Sequence, residues 1–80
     1  MIIQLIEGNF NSHDTLDLIT QMIHIKIKYQ ENKISSSENE EDTKAREAKI
    51  KRLQKELYNF RNNVDSSLNH HTINAIINID

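Results

Sequence analysis

The sequence predicts a mostly α chain with minor β content: an antiparallel two-helix hairpin with short terminal β-strands, dimerising into a four-helix arrangement. Three observations predict it. Ile50, Leu53, Leu57, Phe60 and Val64 recur at alternating spacings of three and four, the seam of a helix that packs on another helix in the manner of a coiled coil. Residues 16–34 carry more apolar positions than one facing helix can cover. Both ends of the chain are rich in Ile.

Residues 2–7, IIQLIE, are short and apolar and are followed by Gly8. They read as a strand, with Gly8 marking a turn or bulge.

Helix 1 is expected over 12–34. Asn11 suits the N-cap, which puts Asp14 at the third helical position, an acidic relative of the capping box. Asp14 and Asp17 lie where the helix dipole favours negative charge. At about 100° per residue, Leu16, Ile19, Ile23, Ile27 and Ile34 form one stripe, and Leu18, Met22, Ile25 and Tyr29 a neighbouring one. Together they span roughly 200°, against the ~100° of an ordinary surface helix. Helix 1 therefore needs two partners. A rival reading takes residues 23–29, IHIKIKY, as a half-buried strand, because apolar and polar residues alternate strictly there. The absence of any turn residue from Ser12 to Lys33 favours the helix.

Residues 35–42 hold three serines, four acids and no apolar side chain, as an exposed loop does. Asp42 is the expected N-cap of helix 2, which runs over 43–64 on good helix formers. Asp65, Ser66 and Ser67 read as its exit. In residues 73–79 Ile73, Ala75, Ile77 and Ile79 alternate with Asn74, Ile76 and Asn78, a strand with its Asn residues toward water. The two terminal strands are expected to pair, beside each other or across a dimer.

An 80-residue chain forms one domain at most. It buries only about 60–65% of its unfolded surface, so a lone core is marginal. Without cysteine there is no disulfide or thiolate metal site to compensate, which leaves helix packing or oligomerisation. A net charge of −2 draws the chain to neither nucleic acid nor membrane. The apolar start lacks the basic residues of a signal peptide, and no run approaches a membrane span. A cytoplasmic location is the expectation.

Catalytic chemistry finds little support. With one glycine there is no P-loop and no dinucleotide fingerprint, and the serines cluster where serines make turns. His13 and Asp17 share a helix face at the spacing of two metal ligands, but no third ligand follows at a recognisable spacing. His24 falls on the polar edge of helix 1, and the neighbours His70 and His71 point apart. No metal, cofactor or enzymatic activity is expected.

Two functional readings follow. The first is a protein–protein interaction module, a homodimer or the binder of another protein, with Ile19, Met22, Ile23, Ile25, Ile27, Ile50, Leu53, Leu57 and Phe60 at its interfaces. Tyr58 is expected to wall the core. The second is a small nucleic-acid-binding regulator touching phosphates through Lys49, Lys51, Arg52 and Lys55. These cations fall at several positions around the exposed arc, and the acids just upstream repel phosphate. The first reading ranks above the second.

Overall fold

Two helices and two strands form in the order strand, helix, helix, strand: β1 (Ile2–Phe10), α1 (Ser12–Ser35), α2 (Glu40–Asn63) and β2 (His71–Asn78). The computed structural model describes residues 1–64 and 70–80. The expected helix exit at Asp65 to Ser67 lies outside the described residues.

Residues 23–29 are helical throughout, so the rival strand reading is overturned. Their alternation is a by-product of two apolar stripes running side by side on one helix. Asn11 caps α1 as expected, its Oδ1 accepting from the Asp14 amide at 2.7 Å. At the other end α1 stops without Gly or Pro. The Ser37 amide donates to the Ile34 carbonyl, and the Ser35 and Ser36 hydroxyls donate to carbonyls of the last turn. These serines satisfy acceptors that a helix end leaves open.

The acidic loop is shorter than expected, because α2 starts at Glu40. Its cap is Asn39 rather than Asp42. The Asn39 Oδ1 accepts from the amides of Glu41 and Asp42 at 2.8 and 3.2 Å. Glu40, Glu41 and Asp42 thereby become the first turn, at the positive end of the dipole. Each helix has 24 residues, and they pack antiparallel as a hairpin.

The strands pair with each other antiparallel within the chain, and β1 runs on past Glu7 to Phe10. The irregularity lies between Gln4 and Ile6, where Leu5 is an extra residue opposite none on β2. This bulge switches the parity of β1. Ile3 on one side of it, and Ile6 and Phe10 on the other, share a face with Ile73, Ala75 and Ile77. The opposite face carries Gln4 bonded to Asn74 and Asn9 bonded to Thr72. Gly8 sits inside the strand rather than ending it. Its φ of 145° is open to glycine and strained for other residues.

Among the described residues the ribbon contacts α1, and α2 touches neither strand. A latch holds the start of α1 to the ribbon. Ser12 Oγ and His71 Nε2 share a hydrogen bond at 2.9 Å, and the Thr15 hydroxyl donates to the Phe10 carbonyl at 3.5 Å. Ser12 and Thr15 are both buried.

The result is thin. The Cα envelope measures 47 × 33 × 13 Å, and its radius of gyration is 15.3 Å against about 12 Å for a compact chain of this length. The Cα atoms of one helix span about 4.6 Å and those of two helices packed about 8–10 Å apart span about 13–14 Å, so the shortest dimension is about the width of the helix pair itself. Among the described residues Leu53 is the one apolar side chain in the buried class, at 8% exposure. No helix among them is long and apolar enough to cross a membrane.

Candidate functional site

The helical hairpin forms its closed seam from the first stripe of α1 and the a/d positions of α2. Ile19, Ile23 and Ile27 on α1, with Ile50, Leu57 and Phe60 on α2, are half-buried, and Leu53 is buried. Arg46 locks the seam near the turn. Its Nη1 donates to Gln30 Oε1 at 2.9 Å, and its Nε donates to Asp42 Oδ2 at 3.0 Å. The bond from Arg46 holds the Asp42 carboxyl below the usual carboxylate range, helped by a bond from the Ser37 hydroxyl.

The second stripe of α1 has no cover along its later half. Leu18 and Met22 are half-buried, but Ile25 is 69% exposed and Tyr29 54% exposed. Beside them runs the flank of α2 that carries Lys49, Arg52 and Glu56. Ile25, Tyr29 and Leu53 form the apolar part of a groove of about 490 Å³ between the helices, Lys49, Arg52 and Glu56 form its charged side on α2, and Lys26 adds a further cation from α1. A smaller cleft of about 270 Å³ involves His13, Asp17 and Arg61 near the start of α1. Among the described residues no group of three His, Asp or Glu side chains is arranged to hold a metal ion.

The groove sorts the cations singled out in the sequence. Lys49 and Arg52 belong to it, while Lys51 and Lys55 point away around the helix. All four are exposed. At 100° per residue they spread over roughly 160° of α2 rather than along one stripe. Lys44 and Arg46 lie in ion pairs with Glu40 and Asp42, at 3.8 and 3.0 Å. Tyr58 is 69% exposed and walls nothing, contrary to its expected place in the core. Its helical angle puts it well to one side of the seam.

Sequence reasoning missed Glu56 as part of this face. Its spacing of seven from Lys49, two helical turns on the same stripe, was the available signal. The apolar face of the ribbon was also only half read, because the bulge at Leu5 hides its period.

No protein-family model matches the chain, and no curated protein or solved structure does either. The functional reading therefore stands on the physical character of this surface.

Proposed function

We propose that the chain is a non-catalytic interaction module whose core is closed by a second copy of itself. One observation carries this reading. The chain exposes 6398 Å², whereas a compact monomer of its mass exposes about 5,000 Å². The excess of about 1,400 Å² exceeds the ~800 Å² that each partner gives up in a standard stable interface. Domains close a core between packed layers, and the helix pair leaves its own core open on one side, where Ile25 and Tyr29 are exposed beside Leu53. An uncovered apolar stripe on α1 and an apolar end of the ribbon supply the surface for a second copy. Ile2, Leu5, Ile76 and Ile79 are exposed at that end. The dimer would bring four long helices together.

Size-exclusion chromatography with light scattering tests the reading. The wild-type mass should be twice 9.4 kDa. Ile25→Asp should abolish the dimer, because it places a charge on the uncovered stripe while leaving the hairpin seam untouched. A variant that stays dimeric with an unchanged melting temperature would show that α1 does not supply the interface.

A further inference from the structure

We infer that the two copies stack groove to groove, antiparallel, about a two-fold axis that crosses both helices at mid-length. The inference rests on the reading above that a second copy completes the fold. It adds the face, the orientation and the register.

Ile25 and Tyr29 line the groove, and the half-buried Leu18 and Met22 continue their stripe of α1 beyond it. Leu18, Met22, Ile25 and Tyr29 lie along the stripe, and its midpoint falls between Ile23 and His24. Two copies packed antiparallel about that midpoint set Leu18 against Tyr29 of the second copy, and Met22 against Ile25. Each contact then occurs twice, as a two-fold interface requires.

The flank of α2 behaves the same way. Lys49 and Glu56 lie on it, with a midpoint between Arg52 and Leu53. Antiparallel packing about that point sets Lys49 of each copy against Glu56 of the other. Arg52 falls within one helical turn of Glu56 on both chains, which offsets the approach of the two guanidinium groups near the axis.

These two midpoints need not have been related, since they belong to different helices. The hairpin relates them. Arg46 and Gln30 stand within about one helical turn of each other, as the bond between their long side chains shows, and the short turn from Ser35 to Glu40 gives nearly the same register. Each step back along α1 therefore corresponds to one step forward along α2, which brings Ile23 within about one turn of the height of Leu53. The two midpoints stand at nearly the same height. One axis, lying in the interface and perpendicular to the helices, satisfies both helices at once.

Charge also rejects the alternatives. Parallel stacking about a two-fold axis along the helices sets α1 over α2 of the second copy, which brings Lys26 against Lys49 and Arg52. Sliding the antiparallel pair by one turn sets Lys49 on Arg52 in one direction and takes Glu56 from Lys49 to Leu53 in the other. Like charges brought together in this way act against a wrong partner or register.

The test uses two full-length variants, Lys49→Glu and Glu56→Lys, alone and mixed. In the first, every cross-interface pair becomes Glu against Glu. In the second, every pair becomes Lys against Lys. Each alone should self-associate at least about tenfold more weakly than wild type. Mixed in equal amounts they should form a heterodimer of near wild-type affinity, because each carboxylate then meets an ammonium group. Sedimentation and circular dichroism read mass and helicity together, so the mixture is informative even if each variant alone is unfolded.

A wild-type dimer whose variants stay dimeric alone would overturn the groove as the interface, while sparing the dimer itself. Variants that dissociate and are not rescued by mixing would overturn the register. A folded wild-type monomer would instead remove the reading on which the inference rests.

Discussion

Leu53 is where the consequences of covering the groove become measurable. Its side chain is the buried apolar residue of the hairpin seam, yet it also lines the groove whose other walls, Ile25 and Tyr29, are more than half exposed. Truncating a buried Leu to Ala costs about 2–5 kcal/mol, with the spread set by how well the site collapses or refills. With the groove open, water and the mobile stems of Lys49 and Arg52 can fill the gap, so Leu53→Ala should cost about 2 kcal/mol, the lower end. With the groove covered by a second copy the gap is sealed, and the cost should approach about 4 kcal/mol per chain. Both chains lose the group, so the dimer should lose roughly twice that per mole. Urea denaturation followed by far-ultraviolet circular dichroism at a fixed protein concentration supplies the number. Tyr58→Ala, 69% exposed on the same helix, is the control and should stay within about 0.5 kcal/mol. A Leu53 cost below about 1 kcal/mol per chain, or one equal to that of Tyr58, would refute the seam assignment.

Further outcomes follow from the ribbon and the turn. Gly8→Ala should destabilise the protein by about 1–2 kcal/mol, read as a lower thermal midpoint, because φ at this site is 145°. Crowding is not the cause, since an added Cβ would meet the Phe10 ring at an ordinary 3.7 Å. Asn39→Ala should cost about 1 kcal/mol in urea unfolding, since it leaves two first-turn amides of α2 without their acceptor. Asp42 has a lowered pKa, so its contribution is complete above the ordinary carboxylate range and is lost as the pH falls through the depressed folded value. Asp42→Asn should therefore flatten part of the acid limb of the stability–pH curve, and an unchanged limb would show that the Arg46 bond is not retained in solution.

The helices were legible in the sequence because their signals are local. The spacing from Ile50 to Val64 marks the seam of α2, and Asn11 with Asp14 marks the start of α1. The excess width of the apolar arc on α1 also pointed to an uncovered surface, and Ile25 and Tyr29 are what remains of it. Other features depended on competition between neighbours. Asn39 and Asp42 are both good N-caps, and Asn39 prevails because Asp42 is engaged by Arg46 and Ser37. The ribbon face was obscured because one extra residue, Leu5, reverses the alternation that reveals a strand face. The spacing of seven from Lys49 to Glu56 marks one stripe of α2 in the sequence, but its height against α1 is not legible until the hairpin sets Gln30 beside Arg46. Only then do Lys49 and Glu56 on α2 fall at the height of the stripe on α1.

The central claim is that a second copy of this chain completes its fold. The most direct measurement is the unfolding midpoint in urea over a wide range of protein concentration. If folding needs a second copy, each tenfold dilution removes about 1.4 kcal/mol of apparent stability per dimer, so the midpoint should fall steadily on dilution. Helicity and dimeric mass should then disappear together. A midpoint independent of concentration, with a helical monomer persisting at the lowest concentration, would contradict the account.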